Sequence, residues 1–428
     1  MTALLSEAAT QAWLDRLSPE DVARAVEYTQ GSHWIAVLSV GVTVAICWLI
    51  VRSGVLAWVQ RGVTGNGNRV NRSTFVVSAL FFAMLGFGEL GWDIYTDWHR
   101  EKAFGLSNQP FDGWMIDWAV FFAIETLFVS LFATALYALI RRFAAFWWVM
   151  TSWLVIAFLA VFLLLSPTLI DPLFNDYELA PEGEVRDAIV RLAEKTGTPS
   201  DAIVVFDGSR QSERYTANVS GFLSGARIAL SDTMFAKGAD QAEIEAVVAH
   251  EIAHYQHGDP VWTILFYSAL SALAFWIVHR TFAMTQRWMG QPSHVTIADP
   301  RGLPVLVTQC VTLALLATPL IATFTRTIEW RADQYSLKVA QQPDGLASAL
   351  IKTVDYRAPS PSVVEEVLFY SHPSVERRIR QAMEWKYRRE QVCKTQEPTR
   401  LPGGGLCPLA IEIEWRESRC LGSAPVLS

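Results

Sequence analysis

Six long apolar segments constrain this chain more than any other feature of its sequence. A helix that crosses the hydrocarbon core of a bilayer, about 30 Å thick, needs roughly 20 apolar residues. Six windows satisfy or nearly satisfy this requirement: Trp34–Val51, Thr74–Trp92, Trp114–Ile140, Phe143–Leu165, Pro260–Val278 and Leu303–Phe324. Buried helices of a large soluble protein do not account for six such windows in one chain. The sequence therefore predicts a mainly α membrane protein, a multi-pass bundle of about six transmembrane helices.

The composition agrees with membrane embedding and argues against several other classes. Of the 428 residues, 51% are hydrophobic and only 18% are charged, whereas a typical soluble domain has about 25% charged residues. The net charge of -7 argues against a nucleic-acid partner, because proteins that bind nucleic acids normally present a basic face. The five cysteines form no CxxC pair, so a disulfide framework is not expected.

The spans and the polar stretches between them predict six parts. These are amphipathic N-terminal helices (1–33), four transmembrane helices (34–165), a small α+β portion (166–259), a transmembrane hairpin (260–324), a C-terminal polar segment (325–387) and a flexible tail (388–428). Within the α+β portion, spacing predicts a helix over Glu184–Thr196 and strands over Ala202–Phe206, Tyr215–Val219 and Arg227–Leu230. A second helix begins at Asp240 and ends near His257, before Gly258.

This second helix carries the motif H-E-x-x-H. His250 and His254 are four residues apart and share one helix face, so both imidazoles can bind one metal ion. Glu251 lies beside them, where its carboxylate can act as a general base towards water on a zinc ion. The competing interpretation, two structural histidines on a surface helix, leaves the adjacent Glu251 without a role.

A catalytic zinc site needs a third protein ligand. The metzincin pattern fails, because His257 stands where that pattern requires glycine. The best candidate is Glu329, just after the last span, and Asp333 lies on the same helix face, where it could accept a hydrogen bond from a ligating imidazole. From spacing alone, an acidic helix face paired with Arg326 and Arg331 is an equally good interpretation. The hairpin of spans five and six would bring this helix beside the H-E-x-x-H helix.

Several motifs in order give the chain a resemblance to a known family. They are Pro172–Asn175 after span four, Ala217-Asn218 with Gly221, His250–His254, Glu329–Asp333, and His372-Pro373-Ser374 with Glu376 and Arg378. Over most of residues 18–385 the chain resembles the integral-membrane zinc metallopeptidases typified by CAAX prenyl protease 1. The bacterial heat-shock membrane protease is a more distant relative.

The resemblance implies one Zn²⁺ per chain, bound by His250, His254 and Glu329, in a zincin-like catalytic domain. It implies Glu251 as the catalytic base and Asp333 as a partner that orients a ligand.

The resemblance also suggests roles for three residues around the reacting bond. Asn218 and His372 would lie near the scissile carbonyl, as further catalytic residues. Arg378 would orient a substrate carboxylate or support the site.

Two departures from the family concern its topology and its selectivity. Animal and fungal members have seven spans, whereas six are counted here, and the missing one is the first. In the family's usual motif an aromatic residue follows the asparagine, whereas Val219 follows Asn218 here.

The orientation in the membrane (a bacterial inner membrane or the endoplasmic reticulum) is predicted in two opposite ways. The connections on one side hold Arg52, Arg61, Arg69, Arg72, Arg141, Arg142, Arg280, Arg287 and Arg301. The positive-inside rule makes that side cytosolic, whereas the resemblance implies that the catalytic side faces the cytosol.

The sequence as a whole predicts a membrane-embedded zinc endopeptidase of the CAAX prenyl protease 1 type. Its partners would be the lipid bilayer and a peptide or protein substrate, prenylated or membrane-associated. One alternative is a quality-control protease for membrane proteins that has no preference for prenylated substrates. The other is a zinc-dependent scaffold without catalysis, which the presence of Glu251 argues against.

Overall fold

In the computed structural model, residues 2–63, 70–199, 202–214, 216–220, 227–235 and 240–395 are described. Six helices in this part of the chain are long and apolar enough to cross a membrane. They are built on α2 (Pro19–Ser53), α4 (Val70–Asp93), α6 (Phe111–Arg142), α7 (Trp147–Leu165), α10 (Asp259–Met289) and α11 (Leu303–Val339). The predicted multi-pass bundle of about six spans is confirmed. Their apolar side chains pack into a common core that includes Phe81, Tyr137 and Trp147.

Several helices run beyond the apolar windows, so two predicted boundaries fall inside continuous helices. Ser18 caps α2 by accepting a hydrogen bond from the Asp21 N–H at 3.0 Å, and the helix then runs through the predicted 33/34 boundary. Likewise α11 runs through the 324/325 boundary without interruption. The physical reason is that hydropathy changes at the membrane surface, while the backbone hydrogen bonds of a helix continue into water.

Other helices extend or connect the spans. A π-helix (Ile94–His99) and α5 (Arg100–Ala103) extend α4, and a π-turn (Ser166–Ile170) with a 3-10 turn (Asp171–Leu173) extends α7. The helix α1 (Thr2–Leu14) precedes the first span, and α3 (Val55–Val63) follows it.

The α+β portion contains one four-stranded sheet. Its strands are β1 (Tyr177–Leu179), β2 (Ala202–Phe206), β3 (Ala217–Ser220) and β4 (Arg227–Ser231), in the order β1-β2-β4-β3. Strands β2 and β4 are parallel, the other pairs are antiparallel, and Asn218 on the edge strand β3 lies opposite Ala229. The three predicted strand segments are therefore found, although Tyr215 and Gly221 lie outside the described residues.

Two helices of this portion, α8 (Glu184–Thr196) and α9 (Gln241–Gln256), share a core with the sheet. The Asp240 side chain accepts a hydrogen bond from the Ala242 N–H at 2.8 Å and so caps α9, as predicted. The apolar side chains Ile244, Val248 and Ile252 are buried in the core. The histidines of α9 are therefore left to face the other way, towards α11.

The C-terminal segment folds onto α9 and α11. It consists of α12 (Pro343–Lys352), a 3-10 turn (Thr353–Tyr356), α13 (Val363–Phe369) and α14 (Val375–Thr395). Trp13 of α1 packs with Leu346 of α12 and Ile379 of α14, so the first helix joins the same end of the molecule. Residues 388–395 continue α14 rather than begin a tail. The rest of the predicted flexible tail lies outside the described residues.

Candidate metal centre

Helix geometry brings the two motif histidines together on one face of α9. The Nε2 atoms of His250 and His254 are 3.3 Å apart, and His250 is buried. The helix α9 is capped by Asp240 at its start and ends at Gln256, and Gly258, which has a left-handed φ of 63°, then turns the chain into α10. The sequence predicted this pair from the spacing of four residues.

The third candidate metal ligand comes from α11. Glu329 Oε2 lies 3.1 Å from His250 Nε2, and Glu329 Oε1 lies 3.8 Å from His254 Nε2. The two helices are held together by Ser336, whose hydroxyl donates a 2.7 Å hydrogen bond to the Ala246 carbonyl of α9. The helical hairpin of α10 and α11 therefore returns the chain to the H-E-x-x-H helix.

The three residues fit a tetrahedral metal ion in both spacing and chemistry. Ligand atoms at about 2.0–2.1 Å from a tetrahedral zinc ion lie about 3.3 Å from one another. The closest approaches between the three side chains are 3.3, 3.1 and 3.8 Å, the last two from different oxygens of Glu329, and one ligand atom from each residue lies within 4.8 Å of the others. Two imidazoles and a carboxylate are also the donor types that zinc accepts while it keeps one position open. The described residues thus contain one His/Glu group that can hold a metal ion, His250, His254 and Glu329.

The electrostatics of the group favour a bound cation. Burial by itself lowers the pKa of His250, but its hydrogen bonds to Asp333 and Glu329 outweigh burial and raise the pKa to about 10. The carboxylates around this imidazole therefore stabilise a positive charge between them. A divalent ion would satisfy the same requirement with the imidazole neutral.

Asp333 and Arg378 hold His250 from the side away from Glu329. Asp333 Oδ1 lies 3.0 Å from His250 Nδ1, and Asp333 is fully buried. Arg378 donates from both Nε and Nη2 to this carboxylate at 2.7 Å. Two nitrogens of the Arg378 guanidinium are therefore engaged by Asp333.

A matching arrangement holds His254, and the sequence did not reveal it. Asp259 Oδ2 lies 2.9 Å from His254 Nδ1, and Arg331 donates to Asp259 Oδ1 at 2.8 Å. Arg331 therefore pairs with Asp259 rather than with the acidic face of its own helix. Arg326 donates to backbone carbonyls of Glu366 and Tyr370 instead. The only available signal was an aspartate at the first position of α10, directly after the Gly258 turn.

Glu251 faces the pocket beside the three metal-binding groups. It lines this pocket of about 260 Å³ and has no hydrogen bond or ion pair within the described residues. Burial raises the pKa of the Glu251 carboxyl, while the neighbouring His250 and His254 lower it. Such a carboxylate is free to exchange a proton with a molecule in the pocket.

His372 reaches the same pocket from the turn before α14. Its Nε2 lies 3.2 Å from Glu329 Oε2, and its Nδ1 lies 3.0 Å from the Ser371 hydroxyl. Burial lowers the pKa of His372 to about 3, although Glu329 raises it, so the imidazole is neutral.

Asn218 lies at the rim rather than in the pocket. Thr216 and Ala217, its neighbours in the chain, line the pocket, whereas Asn218 is not among the lining residues. Its Oδ1 atom is buried without a hydrogen-bond partner in the described part of the chain. The structure thus brings the predicted metal-binding and base residues together with His372, and it places Asn218 on the adjacent edge strand.

The remaining pocket wall was not predicted from the sequence. Leu346, Ala349 and Leu350 of α12 form an apolar side, and Tyr356 and Arg357 follow from the next turn. Contacts of this kind depend on how α12 docks on α9, so a motif search does not reveal them.

A bundle of six spans that presents an H-E-x-x-H helix and a glutamate from its last span defines a membrane-embedded metallopeptidase. The chain matches two family models in succession. The model described as "CAAX prenyl protease N-terminal, five membrane helices" matches residues 4–176, and the model "Peptidase family M48" matches residues 179–386. The chain therefore belongs to the M48 membrane metallopeptidases, in the family of CAAX prenyl protease 1. Among the described residues, the first matched region holds four spans.

The relatives come from bacteria and eukaryotes. The "Uncharacterized metalloprotease YhfN" of Bacillus subtilis is 25% identical over 378 residues, covering 86% of each chain. The "CAAX prenyl protease 1" of Saccharomyces cerevisiae is 27% identical over 335 residues, covering 72% of each chain. A "Protease HtpX homolog" from Janthinobacterium is 26% identical and covers 45% of this chain and 68% of its own.

A solved structure agrees with the fold. The crystal structure of S. mikatae Ste24p superposes with a TM-score of 0.67 at 21% sequence identity, covering 89% of this chain and 95% of the other. This similarity establishes the architecture, a multi-pass membrane protease fold.

Proposed function

We propose that this membrane metallopeptidase is a zinc endopeptidase in which His250, His254 and Glu329 hold the ion and Glu251 is the general base. The observation that carries the proposal is the set of three side chains whose closest ligand atoms are 3.1–3.8 Å apart, beside a Glu251 carboxylate that is unpaired among the described residues, in one pocket. When bound, zinc supplies a Lewis acid that polarises the scissile carbonyl and makes water acidic near neutral pH.

Glu251 moves the proton in this mechanism. Its carboxylate takes a proton from the attacking water and delivers it to the amine that leaves. The burial that raises its pKa matches this task, because a carboxyl with a pKa nearer neutrality both accepts and returns a proton readily.

His372 and Asn218 would hold the substrate on either side of the reacting bond. A neutral His372 imidazole can donate one N–H to the oxygen on which negative charge develops, a type of contact that is worth several kcal/mol. Asn218 lies on an edge strand, to which an extended peptide can add as a further strand.

We further propose that the substrate is a CaaX-terminated peptide with a prenyl group. The yeast relative's name gives that substrate class, and the apolar wall of Leu346, Ala349 and Leu350 suits the apolar residues that precede such a terminus. The Janthinobacterium relative is named a protease without mention of a prenyl group, which favours the second candidate, a quality-control protease without prenyl preference.

Cleavage of matched peptides separates the two candidates. Purified protein in liposomes would receive the same CaaX peptide with and without a farnesyl group, with Glu251→Gln protein as the background control. We expect cleavage of the farnesylated peptide at a kcat/KM at least about tenfold higher. Equal cleavage of both peptides would contradict the prenyl specificity and favour the quality-control function.

A further inference from the structure

Arg357 is a positively charged side chain in the pocket that has no negatively charged partner among the described residues. It follows the 3-10 turn Thr353–Tyr356 and lines the pocket together with Arg378. Within the described residues its side chain makes no hydrogen bond or ion pair, and its guanidinium carbon lies 5.3 Å from the centroid of the Tyr356 ring. The mechanism above does not use it.

Three other arginines at the catalytic end each have a carboxylate partner. Arg378 is bound to Asp333 at 2.7 Å, Arg331 to Asp259 at 2.8 Å, and Arg214 to Glu101 at 3.1 Å. A position in the pocket wall does not by itself prevent an arginine from having a partner. Arg378 also lines the pocket, and it is paired with the carboxylate of Asp333.

The backbone that carries Arg357 is fixed by contacts with three elements. The Arg357 N–H donates to the Val354 carbonyl at 3.3 Å, and the Ala358 N–H donates to the Thr29 hydroxyl of α2 at 2.8 Å. The Glu376 N–H of α14 donates to the Pro359 carbonyl at 3.1 Å. The backbone from which the Arg357 side chain extends to the pocket wall is thus fixed before any ligand arrives.

A guanidinium that is partly buried without a counter-ion has an unfavourable solvation free energy. Burial lowers the pKa of Arg357, and the positive charges of Arg378 and Arg214 also lower it, while Tyr356 and Glu329 raise it. Arginine remains charged in proteins, so the charge is compensated by an anion rather than by loss of a proton. A planar carboxylate matches the guanidinium fork with two parallel hydrogen bonds.

We propose that Arg357 binds the α-carboxylate at the C-terminal end of the peptide substrate. This inference rests on the proposed peptidase function. A peptide carries side-chain carboxylates only in some sequences, whereas every free C-terminus carries an α-carboxylate. Arg357 would therefore set the distance between the chain end and the bond that is cleaved, so that a short C-terminal piece is released.

The test compares one peptide in two forms, with a free C-terminal carboxylate and with a C-terminal amide. Wild type, Arg357→Met and Arg357→Lys would be assayed for kcat/KM. The control is Arg388→Met, at an exposed residue of α14 whose partner is Glu384. We expect wild type to prefer the free acid by about 10- to 100-fold, the value of charged hydrogen bonds. Arg357→Met should reduce this ratio to near one, with Arg357→Lys in between and Arg388→Met like wild type.

The outcomes separate this inference from the function on which it rests. Equal cleavage of acid and amide by wild type would overturn the role of Arg357 and leave the peptidase function intact. If Arg357→Met lowers kcat/KM equally for the acid and the amide, the role of Arg357 in carboxylate binding is also overturned. The side chain would then support the fold or contact the peptide backbone. If wild type cleaves neither peptide, the proposed substrate class itself is wrong. Zinc content and thermal stability of each variant establish that it is folded.

Discussion

At the scale of single residues, both imidazoles of the H-E-x-x-H motif are oriented by a carboxylate that is itself held by a guanidinium. One set is His250, Asp333 and Arg378, and the other is His254, Asp259 and Arg331. The carboxylate fixes which imidazole nitrogen carries the proton, so that Nε2 is free to bind a metal ion. Asp333 with Arg378 is buried, whereas Arg331 is 45% exposed, so the second set is easier to perturb without unfolding the protein.

Replacing Asp259 with Asn should weaken zinc binding. The variant keeps the shape of the side chain but removes the negative charge that makes His254 a stronger ligand. Loss of such an outer partner typically reduces metal affinity about 10- to 100-fold. The measurement is zinc affinity by competition with a chelator. Asp344→Asn, at an exposed residue that pairs with Lys386, is the matched control. An affinity equal to that of wild type would show that Asp259 does not orient the ligand.

Removing the Arg378 side chain should destabilise the folded protein, in addition to any effect on the rate of cleavage. Asp333 is fully buried, so Arg378→Leu leaves its carboxylate without the two hydrogen bonds that compensate its charge. Breaking one side of a buried pair costs about 3–5 kcal/mol. Thermal unfolding in detergent is the measurement, with Arg388→Leu as an exposed control. If Arg378→Leu unfolds at the same temperature as Arg388→Leu, the structural role of Arg378 is contradicted.

The site residues differ in how far the sequence could predict them. His250, Glu251 and His254 follow from local spacing, because one helix turn places them together. Glu329 and Asp333 had the right spacing, but the sequence could not distinguish a ligand from an ordinary acidic face. Asp259 and Arg357 were missed, because their roles arise only when α9, α11 and the segment after α12 meet in space.

At the scale of elements, the close approach of α12 to α9 forms the apolar wall of the pocket. Gly345 makes this approach possible, because a Cβ atom added there would lie 2.3 Å from the Ala242 carbonyl oxygen. That oxygen belongs to the backbone of α9 and cannot move without shifting the helix that carries the histidines.

The substitution Gly345→Ala should therefore destabilise the catalytic end. Overpacking of this kind costs about 1–3 kcal/mol, which exceeds the gain of about 1 kcal/mol that alanine offers in a helix. The control is Gly62→Ala in α3, where nothing lies within 4 Å of the added Cβ. The midpoint temperature of thermal unfolding should be lower in Gly345→Ala and unchanged or higher in Gly62→Ala. If both variants behave alike, the contact between α12 and α9 is not tight in solution.

The sequence predicted the membrane-spanning helices but not the residues at which they begin and end. Hydropathy located all six spans, since the membrane requires long apolar helices. It could not indicate that α11 continues to Val339, which places Glu329 and Asp333 on the same rigid helix as the last span. Helix ends depend on caps and tertiary contacts, as at Ser18 and Gly54 of α2, which hydropathy does not register.

At the scale of the whole molecule, charge and family membership assign opposite orientations in the membrane. Among the described residues, the predicted arginine-rich side includes Arg52, Arg141, Arg287 and Arg301. The positive-inside rule makes that end cytosolic, whereas the family resemblance places the catalytic end there. The rule is a statistical bias in insertion, so we expect the catalytic end to face the cytosol.

Reporter fusions at the C-terminus test this orientation, because α14 lies at the catalytic end. In a bacterial host, a fused green fluorescent protein should fluoresce, and a fused alkaline phosphatase should be inactive. The reverse pattern would place the catalytic end outside the cytosol, in agreement with the arginine count.

The central claim of this account is that His250, His254 and Glu329 hold zinc and that Glu251 performs the proton transfer. The most direct measurement determines zinc content and peptide cleavage side by side for wild type, Glu251→Gln and Glu329→Ala. We expect about one zinc per chain in wild type and in Glu251→Gln, with turnover about 10²- to 10⁴-fold lower in the latter. Glu329→Ala should lose the metal. Robust cleavage by Glu251→Gln, or full zinc occupancy in Glu329→Ala, would contradict the claim.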